Sequence, residues 1–184
     1  MSRWEPDARG RMMRAALELF DERGFERTTA GDIAERAGVT ERTFFRHFAD
    51  KREAFFDEER TTERRLREAI AAAPAGAAPI DAALAGGCAA AGFLEDRREQ
   101  AARRARIIAR TPRLRERELL KLADLTRAAA EALRERGATE ETAVLAAHCA
   151  ASAFRVAFAR WIGDGAPDFP TCADEAAVAL RALF

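Results

Sequence analysis

The chain has 184 residues and carries 31 Lys+Arg against 31 Asp+Glu, a formal net charge of zero. With 48% hydrophobic and 34% charged residues it is too apolar for a disordered chain and too charged for a membrane protein. Alanine (45) and arginine (29) dominate, valine (4) is scarce and tyrosine is absent, which excludes an all-β fold and predicts an all-α one. Neutrality gives no support for a basic nucleic-acid binder, so such a reading rests on where the charges lie.

The start, Met1 to Asp7, is charged and lacks an apolar run, so no secretory signal is expected. Cys88, Cys149 and Cys172 are far apart and form neither a CxxC nor a metal-ligand spacing. They read as small core thiols of a cytoplasmic protein, and no metal or cofactor is expected.

From Pro6 to Gly24, Met13, Ala16, Leu17 and Phe20 fall at i, i+3, i+4 and i+7, one face of an amphipathic helix. Thr29 with Asp32 has capping-box spacing and predicts a second helix over about 30–37, stopped by Gly38. Thr40 can cap a third helix, with Phe44 and Phe48 turned inward. Short helix, tight turn, short helix is the helix-turn-helix order, whose second helix enters a DNA major groove; a purely structural helical corner has the same pattern.

The segment Leu17-Glu18-Leu19-Phe20, Gly24-Phe25, Thr28-Thr29, Asp32 to Thr40, Thr43 to Phe48 and Asp50 to Glu53 closely resembles the DNA-binding domain of TetR-family transcriptional regulators, over roughly residues 10–57. The resemblance implies an N-terminal DNA-binding domain, placed at 1–53 with the recognition helix near 40–48. A larger C-terminal effector-binding and dimerisation domain would then occupy 54–184. Thr29, Thr40, Arg42, Thr43, Phe45, Arg46, His47 and Lys51 are the expected DNA-facing residues. Arg42 and Arg46 are i,i+4 neighbours, and either can grip guanine bidentately or clamp a phosphate. Lys51 matches a position that commonly contacts the DNA backbone in the family. Phe45 stands where the family often has a tyrosine, and Gly31 where many members carry a DNA-contacting side chain.

Beyond this segment a helix is expected over 53–72, with Phe55, Phe56, Leu66 and Ile70 as apolar positions. Ala69 to Leu94 holds a single charge, Asp81, but Pro74, Gly76 and Pro79 interrupt it. It reads as a helix end, a loop over 74–79 and a small-residue helix from near Ile80, not as a membrane span. Helices over 97–110 and 113–136 follow. Residues 97–121 hold ten basic and three acidic side chains. They read as a solvated face, with an anionic effector or a phosphate contact as the sharper alternative.

The last two helices, about 140–162 and 171–183, are rich in alanine with Phe154, Phe158, Trp161 and the terminal Phe184 among them. The resemblance implies that they form a four-helix dimer interface with a second copy. Leu84, Cys88, Phe93, Ile108, Leu122, His148, Ser152 and Arg155 are the expected lining of a pocket for an unknown apolar or amphipathic effector. No Gly-rich phosphate loop or carboxylate constellation is present, and the adjacent His148 and Cys149 point about 100° apart on a helix, so an enzyme is not expected. The expectation is a ligand-responsive DNA-binding regulator, a homodimeric repressor released from a palindromic operator by its effector. The alternative is a helical adaptor.

Overall fold

The computed structural model describes residues 7–56, 59–92 and 97–183. It has ten α-helices and no strand among the described residues. They are α1 (Ala8–Arg23), α2 (Ala30–Arg36), α3 (Glu41–His47), α4 (Lys51–Phe56), α5 (Glu59–Ala72), α6 (Pro79–Ala91), α7 (Arg98–Arg110), α8 (Pro112–Glu135), α9 (Glu140–Trp161) and α10 (Phe169–Arg181). Two compact units divide the chain: residues 1–58 with 103–115, and residues 59–102 with 116–184.

In the N-terminal unit the buried stripe of α1 runs through Met12, Ala15, Ala16, Leu19 and Phe20. Met13, expected at its head, is only half-buried. Phe25, Ile33, Ala34, Phe44, Phe48 and Phe55 complete one core with it. Edge-to-face packing of Phe20 on Phe25 (centroids 5.0 Å apart) locks the turn after α1 against the helix it leaves. Residues 103–115 close the same core with Ile107 and Leu114, both fully buried. That return of the chain is invisible to local pattern.

In the C-terminal unit small residues set the packing. Leu66 and Ile70 of α5, Ala82, Ala83 and Ala90 of α6, Leu133 of α8 and Ala143, Ala146, Ala147 and Ala150 of α9 form one cluster. Trp161, Phe169, Cys172 and Ala176 form a second between α9 and α10. α9 is long and apolar enough to cross a membrane by length and composition. Its alanine face (Ala143, Ala146, Ala147, Ala150, Ala153 and Ala157) is instead buried in this unit, as in a core helix. Its opposite side leaves Val144, Leu145 and Val156 exposed. α10 leaves Val178 exposed, and Leu183 beyond it is exposed as well.

Candidate nucleic-acid interface

Three local devices shape the surface around α3. Thr29 caps α2: its hydroxyl oxygen accepts from the Asp32 backbone N–H (3.1 Å), and the Asp32 carboxylate accepts from the Thr29 backbone N–H (2.8 Å). The backbone N–H and hydroxyl of Thr29 hold the Asp32 carboxyl below its usual range. Thr40 caps α3 through its hydroxyl alone, accepting from the Thr43 N–H at 3.2 Å, with the two threonine hydroxyls 3.0 Å apart. Between the two helices Gly38 sits at φ 68°, the left-handed conformation that costs a side-chain-bearing residue about 1–2 kcal/mol. The turn also returns the Val39 N–H to the Ala34 carbonyl at 2.9 Å. Both threonine hydroxyls are therefore engaged in the caps.

α3 buries Phe44 completely and presents Glu41, Arg42, Phe45 and Arg46 outward. Thr43 and His47 are half-buried beside them. Arg42 and Arg46 carry no acidic partner among the described residues. Most other cations of this unit are engaged. Arg36 bridges Glu18 (3.3 Å) and Glu22 (2.9 Å) on α1, pairing that raises its pKa further. Arg52 pairs with Asp50 at 2.6 Å.

Lys51 is placed differently from the sequence expectation. Its Nζ donates to the carbonyls of Phe25 (2.6 Å) and Thr28 (2.8 Å) and lies 4.1 Å from the centroid of the Phe25 ring. Burial lowers its pKa. The ammonium thus pins the start of α4 to the turn between α1 and α2. Of the four basic residues between Arg42 and Arg52, two remain available to a ligand.

The basic segment 97–121 is a solvated face only in part: Arg97, Arg106, Arg113 and Arg115 are exposed, whereas Arg103, Arg104 and Arg110 are engaged within the N-terminal unit. Arg103 and Arg110 both pair with Asp21 of α1, at 2.6 and 3.0 Å. Their charge, the Arg103 hydrogen bond foremost, holds the Asp21 carboxyl below its usual range. Arg104 donates to the Phe55 carbonyl and lies over the rings of Phe55 and Phe56, at 4.3 and 4.6 Å. These arginines fasten the 103–110 part of α7 inside the N-terminal unit.

The expected effector pocket is not assembled as the sequence suggested. Leu84 and Cys88 do line one groove, of about 480 Å³, between α6, α9 and α10. Phe154, Phe169, Val178 and a set of alanines that includes Ala150, Ala153 and Ala157 line the rest of its apolar wall. Asp81, Asp174 and Arg181 stand along it, with Asp81 and Arg181 paired at 2.6 Å. Cys88 is partly open to solvent, yet the apolar surroundings raise its thiol pKa and the Asp174 carboxylate adds to this. His148, Ser152 and Arg155 are exposed and lie off this groove, because α9 turns its alanine side to the core and these three to the outside. Ile108 packs in the N-terminal core. Leu122 is half-buried on α8, away from the groove. Phe93 lies outside the described residues, as does Phe184. Phe169, Asp174 and Arg181 were missed: only tertiary packing brings α10 beside α6.

Residues 12–57 match the model of the bacterial regulatory proteins of the tetR family, and residues 77–184 match that of the MftR C-terminal domain. The chain belongs to the TetR family of transcriptional regulators. The HTH-type transcriptional regulator TcmR of Streptomyces glaucescens is 42% identical over 74 residues, 40% of this chain and 33% of TcmR. The match thus spans about a third of that relative's length. The fold is also that of NalD, the secondary repressor of the MexAB-OprM multidrug efflux pump in Pseudomonas aeruginosa. That likeness has a TM-score of 0.64 and 22% identity, over 96% of this chain and 95% of NalD. The TetR-family repressor FadR of Thermus thermophilus, solved with lauroyl-CoA, is similar at a TM-score of 0.56 and 24% identity, over 94% and 93% of the two chains.

Proposed function

We propose that this protein is a cytoplasmic, homodimeric repressor that leaves a palindromic operator when a small apolar or amphipathic effector binds its C-terminal unit. The observation that carries the DNA reading is the exposed face of α3. Two arginines without acidic partners among the described residues project from a helix whose opposite side is anchored by the buried Phe44. A guanidinium so placed can grip guanine O6 and N7, or a phosphate. Thr29, Thr40, Thr43 and His47 border the same surface.

The dimer is supported by the exposed apolar side chains that α9 and α10 carry outside their own core. Val144, Leu145 and Val156 lie along α9, and Val178 and Leu183 on or just past α10. Apolar surface of this kind is stabilised by burial against a second copy. The effector site we assign to the groove holding Leu84 and Cys88, whose wall is mostly alanine and phenylalanine. Its occupant need not resemble the lauroyl-CoA bound by FadR. For release to occur, the effector must bind the two conformations of the dimer with different affinity.

The test is a gel-shift titration with the DNA flanking the protein's own gene. Arg46→Ala should weaken specific retention by about 1–3 kcal/mol, roughly fivefold to 150-fold, while the dimer persists on a sizing column. Undiminished retention would remove Arg46 from the interface. A groove variant, Leu84→Trp, should leave retention intact and abolish release by any effector recovered with the protein.

A further inference from the structure

Phe45 is 53% exposed, and among the described residues it is the one large apolar side chain that the N-terminal unit leaves in solvent. Every other phenylalanine described in that unit (Phe20, Phe25, Phe44, Phe48, Phe55 and Phe56) is buried. The ring is not loose: it stands edge-on to Phe44, centroids 5.5 Å apart and planes at 89°. It sits on the same face of α3 as Arg42 and Arg46, with Glu41 one turn before it. A phenyl ring offers neither donor nor acceptor, so it cannot clamp a phosphate by a hydrogen bond or read a polar base edge. The apolar group that a major groove presents is the thymine C5-methyl.

Resting on the DNA-binding reading above, we infer that Phe45 is a specificity-determining residue that reads a thymine in each half-site through its 5-methyl group. Arg42 and Arg46 hold α3 in the groove on either side, and the ring covers the methyl and removes both from water. The expected discrimination is that of one buried methyl, about fourfold in affinity per half-site.

The experiment uses the full-length protein and a duplex enriched by it from a random-sequence pool. Each thymine of that duplex is replaced in turn by deoxyuridine, which deletes only the methyl. The wild type should lose about fourfold in affinity at one position of each half-site and little elsewhere. Phe45→Ala should bind the unmodified duplex more weakly and be indifferent to uridine at that position. Phe45→Tyr, which keeps the ring, should keep the sensitivity. Because the side chain is exposed, the variants should unfold at the wild-type urea midpoint, and this is measured alongside. If the wild type tolerates uridine everywhere, or if Phe45→Ala retains the sensitivity, the inference fails although DNA binding stands. If no duplex is enriched, the DNA-binding reading fails and takes this inference with it.

Discussion

Thr29 and Asp32 show how much one pair of side chains can set. Their reciprocal hydrogen bonds satisfy two backbone donors that a helix start otherwise leaves open. Thr29→Ala should cost about 1 kcal/mol in urea unfolding at neutral pH. The pair also carries a pH signature. The Asp32 carboxyl is held below its ordinary value of 3.8, so its stabilising contribution is complete above that pH and is lost as pH falls through the lower folded value. Asp32→Asn removes the titration. The stability gap between wild type and Asp32→Asn should therefore narrow below pH 3.8, and a gap constant through that window would refute the link. The caps were legible in the sequence because Thr29, Asp32, Thr40 and Gly38 act over three or four residues. The role of Lys51 was not, since its partners Phe25 and Thr28 lie more than twenty residues away.

At the scale of the helix, α6 depends on the absence of side chains. A Cβ added at Gly86 would fall 2.7 Å from Ile70 Cγ1 and 3.2 Å from the Leu66 carbonyl oxygen. Ile70 is fully buried and cannot retreat. Gly86→Val should therefore force α5 and α6 apart, destabilising the protein by about 1–3 kcal/mol. Gly87, next in the same helix, is the control: its Cβ would meet only Phe154 Cδ2, at 3.8 Å. Gly87→Ala should be neutral or stabilising by up to about 1 kcal/mol, since alanine is the better helix former. Thermal melts of the two variants that shifted alike would contradict this account of the α5–α6 contact. The small-residue helix was legible from 80 onward, but nothing local distinguishes Gly86 from Gly87. Likewise α7 looked like a solvated basic helix because Asp21, the partner of Arg103, lies 82 positions earlier.

For the whole molecule, the zero net charge conceals how its charges are spent. Acidic side chains of α1 absorb Arg36, Arg103 and Arg110, which leaves Arg42 and Arg46 as cations displayed on α3. A DNA-binding regulator built this way should discriminate by base contacts more than by bulk attraction to phosphate, so its affinity should fall less steeply with salt than that of a strongly basic one. The helix-turn-helix order and the all-α class could be read from residues alone. The groove and the outward apolar stripe of α9 could not, because the alanine-rich helices present similar residues on several faces. Neither could the return of residues 103–115 to the first unit.

The central claim, a dimer that places two α3 helices in successive major grooves, is tested most directly by selecting duplexes from a random-sequence pool with the purified protein. The mass of the resulting complex is then measured. The expected result is an inverted repeat with half-site centres about 34–36 Å apart, bound by two chains. A pool that enriches nothing, or a single half-site held by one chain, would contradict it.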